Sequence, residues 1–229
     1  MKTRPRRALS LFLLCLGLAG LSLEALGEDA REPYDDFYCT TCHGADGRGN
    51  VGVQAPRLAG MEPWYLRRQL EKFRDGRRGT HPQDVEGRAM RPMATPLSDD
   101  SIDALVNWVG SWPQAAVAKT VVGDVDAGRR WYAGCSACHG ADASGNQALG
   151  APALAGQNDW YLLTQLRNFR LGYRGRHRAD SEGATMAAAA QTLPDEQALV
   201  DVIAYLNTLA PPDTVAAGAA NRHTQLQGN

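Results

Sequence analysis

Cys39-Thr40-Thr41-Cys42-His43 is the stretch on which the rest of the chain turns, and Cys135-Ser136-Ala137-Cys138-His139 repeats it. Cysteines at i and i+3 on a helical turn present both sulfurs to one edge of a flat macrocycle. The histidine that follows can then aim its imidazole at the centre. Cys-x-x-Cys-His is accordingly the pattern of covalent c-type haem attachment, with thioethers to the two vinyl groups and a proximal histidine on the iron. A redox dithiol needs no following histidine and would not need to occur twice. A zinc site would use two cysteine pairs, or one pair and two later histidines. Pooling all four cysteines on one zinc leaves both histidines unexplained. Two covalently bound haem c groups are therefore expected, one on Cys39 and Cys42 with His43, the other on Cys135 and Cys138 with His139.

Working outward from the two motifs shows a duplication. A shift of 96 residues superposes Cys39–Val106 on Cys135–Val202 without a gap, with 32 of 68 positions identical. Pro56 falls on Pro152, Leu58-Ala59-Gly60 on Leu154-Ala155-Gly156, and Trp64-Tyr65-Leu66 on Trp160-Tyr161-Leu162. Phe73 pairs with Phe169, His81 with His177 and Met90 with Met186. This is a duplicated domain and not a short solenoid repeat. Each copy is small for an unaided core, so a buried, covalently fixed macrocycle would supply much of it. The expected organisation is a signal peptide over 1–27, domains over 28–112 and 124–210, a linker over 113–123 and a flexible tail over 211–229. Pro113 stops a helix at the boundary, and Asp124 offers an N-cap to the second domain.

The composition fits that picture. The 229 residues carry a net charge of −1, with 24 basic and 25 acidic side chains. No strong global field draws the chain to nucleic acid. Lys2, Arg4, Arg6 and Arg7 precede an apolar run from Ala8 to Leu23, and Ala25-Leu26-Gly27 resembles a cleavage site. This is the pattern of an export signal, with Cys15 as filler inside the run. Cleavage after Gly27 would leave a mildly acidic chain outside the cytoplasm, in a periplasm for a Gram-negative host.

The secondary structure reads as all-α. Trp64, Leu66, Leu70 and Phe73, and then Trp160, Leu163, Leu166, Phe169 and Leu171, recur near helical spacing. Ser98 caps a last helix with Ile102, Leu105, Val106 and Val109 as its stripe. Its second copy carries Leu199, Val202, Ile203 and Leu206, with Pro194 expected in the first turn. Asp126–Ala137 reads as one helix running into the attachment motif. The glycine-rich stretches 44–52 and 140–150 read as loops. No strand precedes them, so they are not nucleotide-binding loops.

What stands opposite each proximal histidine decides between ligand chemistry and electron transfer. Both copies should use the same position. Met61 and Met93 fall on Gln157 and Ala189, whereas Met90 and Met186 match. Those two are the expected sixth ligands, while His81 and His177, which also match, are the rival pair. Bis-histidine ligation would lower the potential.

Taken together, the two Cys-x-x-Cys-His motifs, the Pro-x-Leu-Ala-Gly segments, the Trp-Tyr-Leu-x-x-Gln-Leu helices and the late methionines resemble the di-haem cytochrome c4 family of class I cytochromes c. The resemblance spans about Asp35 to Leu209. It implies two tandem all-α haem domains related by a pseudo-twofold axis. It also implies that Pro56 and Pro152 offer carbonyls to the proximal imidazoles. The implied role is an electron carrier with redox-protein partners, a quinol–cytochrome c reductase or a dehydrogenase as donor and a terminal oxidase as acceptor. Arginines after Phe73 and Phe169, with Arg78 and Arg174 as the matched pair, are candidates to screen haem propionates at the interface. A cytochrome subunit docked to a flavoprotein dehydrogenase is the alternative, and peripheral attachment to a membrane stays open. A haem enzyme would need an open iron and usually unequal haems, which matched methionines oppose.

Overall fold

The computed structural model describes residues 37–114 and 116–211. The expected signal peptide, Cys15 and the tail beyond 211 lie outside the described residues. The first half contains α1 (Phe37–His43), α2 (Pro63–Arg74), α3 (Val85–Ala94) and α4 (Asp99–Gly110). The second contains α5 (Val125–Tyr132), α6 (Ser136–His139), α7 (Asp159–Arg170), α8 (Ser181–Ala190) and α9 (Glu196–Leu206). Among the described residues the only extended pairing is two isolated antiparallel bridges, Asn50–Ala55 and Asn146–Ala151. Each closes a loop around a short 3₁₀ turn, Val51–Val53 or Gln147–Leu149.

The helices form where apolar periodicity and caps coincide. In α4 the Ser98 hydroxyl accepts from the Ser101 N–H, and Ile102, Leu105, Val106 and Val109 are all buried. Burying side chains of this kind stabilises by about 1.5–3 kcal/mol each. Leu66, Leu70 and Phe73 of α2 face the same core. Leu163, Leu166 and Phe169 of α7 join Leu199, Val202, Ile203 and Leu206 of α9 in the second. Asp124 caps α5 as expected, accepting from the Asp126 and Ala127 N–H groups. Gly128 lets α5 cross close to α9, since a Cβ there would lie 1.9 Å from the Asp201 carbonyl oxygen.

Three expectations are corrected in detail. The helix read over Asp126–Ala137 is two helices, α5 ending at Tyr132 and α6 starting at Ser136. The intervening turn contains Gly134, a poor helix former, and re-aims the chain so that His139 becomes buried while Cys138 stays exposed. Pro194 stands before α9 and not in its first turn; Asp195 is the cap, accepting from the Ala198 N–H. Leu171 is the exposed C-cap of α7 and no part of the core.

A second buried face sets the relation between the domains. Besides their apolar stripes, α2 buries Gln69 and Lys72, and α7 buries Gln165 and Asn168. Polar side chains on a buried helix face need partners. Each of them finds at least one partner in the opposite domain. The connection through 116–124 is likewise tied down: the Asp159 carboxylate accepts from the Thr120 and Val121 N–H groups, from the Thr120 hydroxyl and from the Asn207 amide.

Candidate haem centres

In both domains the motif histidine is buried, and its ring is fixed from behind. His43 Nδ1 donates to the Pro56 carbonyl at 2.7 Å, and His139 Nδ1 donates to the Pro152 carbonyl at 2.8 Å. A carbonyl can only accept, so Nδ1 carries the proton and Nε2 keeps its lone pair. Burial pushes both imidazoles below the ordinary histidine range, against the opposing pull of the proline carbonyls. Each ring is thus a neutral, oriented ligand. The loop behind it is held by matching backbone bonds, Gly49 N–H to the His43 carbonyl and Gly145 N–H to the His139 carbonyl.

The cysteines are unlike those of a dithiol oxidoreductase. Burial, and then the neighbouring Cys42, push the Cys39 thiol up to about 11. Burial and Cys138 push Cys135 up as well. A redox motif instead lowers the pKa of its nucleophile. Among the described residues, no three His, Cys, Asp or Glu side chains gather as a metal-binding group, which removes the shared zinc site.

Cys135, Cys138, His139 and Met186 line one cavity of about 320 Å³. Leu154, Leu166, Phe169, Leu193, Val202 and Ile203 supply apolar wall. In the first domain Cys39 and Met90 pack against the same core cluster, with Leu66, Leu70, Phe73 and Ile102. Met90 lies on α3 and Met186 on α8, both half-buried. The rival histidines are engaged elsewhere. His81 Nδ1 accepts from the Gln83 N–H, and its ring stacks on Tyr173 at 4.7 Å. His177 is exposed, and its Nδ1 accepts from the Ala179 N–H.

The second domain's cavity reaches the domain interface, where Tyr65 and Gln69 also line it. There Arg78 donates to Gln69 of its own domain at 2.9 Å and to Tyr161 and Gln165 of the other, at 3.2 and 3.0 Å. Arg174 does the reverse, donating to Gln165, Tyr65 and Gln69 at 2.8, 3.1 and 2.9 Å. The guanidinium groups lie 4.4 Å from the rings of Phe73 and Phe169. Burial alone would push the Tyr65 phenol up, but Arg174 and Arg78 outweigh it and hold it below the ordinary tyrosine range. The Nε of Arg78 is buried without a protein partner. Arg174 lines the cavity, and Arg78 bonds its lining residues Gln69, Tyr161 and Gln165; guanidinium donors there suit the carboxylate of a haem propionate, so the residues around the second-domain cavity fit the macrocycle at both its apolar and its acidic edges.

The arginine pair was legible in the sequence as matched positions, but its partners were not. Gln69 and Gln165 recur in both copies on an otherwise apolar helix face, which is the signal that marks a buried polar contact. Glu62 and Asn158, which also cross the interface, carried no such signal because the copies differ there.

Duplicated helical domains, each with a buried, carbonyl-backed histidine beside paired cysteines and an apolar core, and an apolar cavity at the second motif, define a di-haem c-type electron carrier. The comparisons agree. The cytochrome c family model matches residues 28–112 and again 125–210. The chain is 30% identical over 218 residues to cytochrome c4 of Azotobacter vinelandii, covering 89% of this chain and 99% of that one. It is 34% identical over 183 residues to the thiosulfate dehydrogenase electron acceptor of Stutzerimonas stutzeri (strain A1501), covering 71% and 80%. The crystal structure of reduced cytochrome c4 from Pseudomonas stutzeri superposes with a TM-score of 0.58 at 26% identity, covering 75% of this chain and 93% of that one. The chain belongs to the cytochrome c family, and the resemblance to cytochrome c4 holds over most of its length. It is an electron carrier with two covalently bound haem c groups, not an enzyme.

Proposed function

We propose that Cys39 and Cys42 hold the first haem through thioethers and that Cys135 and Cys138 hold the second. His43 and His139 are the proximal ligands, and Met90 and Met186 the sixth. The observation that carries this reading is the pair of His–Pro carbonyl bonds at matched positions. Each frees Nε2 for iron and locks the ring that bears it. When bound, each haem supplies a one-electron Fe(III)/Fe(II) couple. The protein's part would be to hold His43 and Met90, and His139 and Met186, at the iron, exclude water with the core leucines and phenylalanines, and compensate propionate charge with Arg78 and Arg174. A thioether sulfur favours reduced iron, so both potentials should be positive. The domains occupy 28–112 and 124–210 in this reading, joined by 113–123.

The chain takes one electron per haem from a reduced redox protein and passes it to an oxidised one. It works in the periplasm, delivered by residues 1–27 as a cleaved signal. Among the described residues, no helix is long and apolar enough to cross a membrane. The donor is a respiratory reductase or dehydrogenase, and the acceptor a terminal oxidase. A second reading, a cytochrome subunit docked to a dehydrogenase, is supported by the relative named as a thiosulfate dehydrogenase electron acceptor. Co-purification from solubilised membranes under mild detergent separates the two. Stoichiometric retention of a dehydrogenase supports the docked subunit, and recovery of the free chain supports the mobile carrier. Ligation is tested by the weak far-red band of Met–iron coordination, expected in the oxidised protein and lost in the M90H/M186H double variant. Its absence from the unaltered protein would favour His81 and His177.

A further inference from the structure

Each carbonyl behind a proximal histidine belongs to a peptide whose other end is held by the opposite domain. The Pro56 carbonyl accepts from His43, and the N–H of the same peptide, on Arg57, donates to Asn158 Oδ1 at 2.7 Å. The Pro152 carbonyl accepts from His139, and the N–H of that peptide, on Ala153, donates to Glu62 Oε2 at 2.8 Å. Glu62 and Asn158 are matched positions, the N-caps of α2 and α7. Neither side chain caps its own helix. An N-cap side chain ordinarily accepts from an amide two or three residues on. Here both reach across the domain boundary instead. The approach is close: Gly49 has φ +88°, and a Cβ there would lie 2.5 Å from Asn158 Oδ1.

The two relays share a geometry and differ in charge. Asn158 is a neutral acceptor, whereas Glu62 is a carboxylate. Hydrogen bonds to an ionised acceptor are roughly twice as strong as neutral ones. A stronger pull on the N–H polarises the peptide, and its carbonyl becomes the better acceptor. The imidazole that donates to that carbonyl gains basicity, which favours ferric iron. Arg57 places a positive charge beside the first relay, where the second has Ala153, so the local charge difference has the same sign.

We propose that Glu62 is a positioning residue that lowers the reduction potential of the second-domain haem through the Pro152–Ala153 peptide and His139, while Asn158 exerts the weaker, neutral form of the same effect on His43. The inference rests on the reading of His43 and His139 as proximal ligands. Each domain thereby sets part of its neighbour's potential, and the duplicated chain holds two unequal haems without changing any iron ligand.

The test is a redox titration of the full-length holoprotein, with the two haems resolved by their paramagnetically shifted methyl resonances. Glu62→Gln removes the charge. Glu62→Asp keeps it but withdraws the carboxylate by one methylene, breaking the bond to Ala153. Both should raise the second-domain potential, changing its Fe(III)/Fe(II) ratio at fixed poise by about threefold or more, or about 28 mV at 59 mV per tenfold for one electron. The first-domain potential should stay put. Asn158→Asp should lower the first-domain potential alone. An unshifted potential in Glu62→Gln overturns the proposal. So does an unshifted Glu62→Asp, which would mean through-space charge without the relay, or an equal shift at both haems. If the unaltered protein lacks two low-spin, histidine-ligated haems, the ligation reading falls and this inference with it. If it has them and the potentials do not move, this inference alone falls.

Discussion

The two domains meet across a network that is symmetric at its centre and asymmetric at its corners. At the centre Arg78, Tyr65 and Gln69 interlock with Arg174, Tyr161 and Gln165 in the same bonds taken in reverse. At one corner, Lys72 of the first domain meets Asp180 at 2.5 Å and Glu182 at 2.7 Å, and Arg68 meets Glu182. At the other, the position of Lys72 is taken by Asn168, which reaches Asp84 at 3.2 Å. Asp84 is fully buried, and its Oδ2 has no hydrogen-bond partner among the described residues. The duplication has kept the shape-determining residues and let the charges diverge. Matched guanidinium hydrogen bonds hold the pseudo-twofold arrangement, and a one-sided ion cluster distinguishes its two ends.

The largest expected effect is on the electronics of one domain at a time. Met186→His should lower the second-domain potential by a sizeable part of the about 0.8 V that axial-ligand choice spans, leaving the first nearly unchanged. Met90→His should do the mirror experiment. Potentiometry on both variants checks this, and a shift of both haems by one substitution would break the picture of two separately ligated centres.

Next come the corners. Lys72→Met leaves the buried Asp180 without its cation, while Glu182 keeps Arg68. Breaking a buried pair this way costs roughly 3–5 kcal/mol, so urea unfolding should move to much lower denaturant. Asn168→Ala removes only a neutral donor and should cost about 1 kcal/mol. Equal losses for the two would erase the distinction between the corners.

A third difference lies at the start of the paired helices, where α2 begins with Pro63 and α7 with Asp159. Burial would raise the Asp159 carboxyl, but the Val121 and Thr120 N–H groups, Asn207 and the Thr120 hydroxyl outweigh it and hold it below 3.8. A carboxyl depressed in the folded state contributes stability that is fully present above its unfolded value and lost as pH falls through the folded value. Asp159→Asn should therefore destabilise the second domain by about 1–3 kcal/mol at neutral pH. The penalty should shrink as the pH falls below 3.8, which acid titration of the second-domain melting transition would show. The smallest effect is expected at Asp84, which makes no direct salt bridge among the described residues: Asp84→Asn should change stability by less than about 1 kcal/mol, because the amide oxygen still accepts from the Gly87 N–H and Asn168 while the buried charge is removed. Asp180→Asn, by contrast, should cost clearly more in the same denaturation assay.

Much of this was legible because the chemistry lies in short motifs that the duplication prints twice. The duplication, the carbonyl-backed histidines and the capped last helix of the first domain could be read from spacing; the attachment cysteines and paired methionines are proposed from the same repetition. The helix break before Ser136 could not, since Trp131 and Tyr132 continue the apolar rhythm into the turn. Pro194 stands two positions before the first helical residue, Glu196, and was misplaced because Asp195, the real cap, resembles a first-turn acid. Glu62 and Asn158 escaped notice for a different reason. Both precede helices, where such residues normally cap, and their partners are backbone amides that carry no residue signature. Contacts across the pseudo-twofold axis join residues about 100 positions apart, and only the folded chain brings them together.

The central claim is that both irons are held by histidine and methionine in two equivalent but separately tuned domains. A redox titration of the purified protein followed by visible spectra tests it most directly. The expected record is two one-electron steps, both at positive potential, from a chain whose oxidised form carries the far-red Met–iron band at an intensity equivalent to two haems. One step worth a single electron, a potential well below zero, or half that band intensity would contradict it.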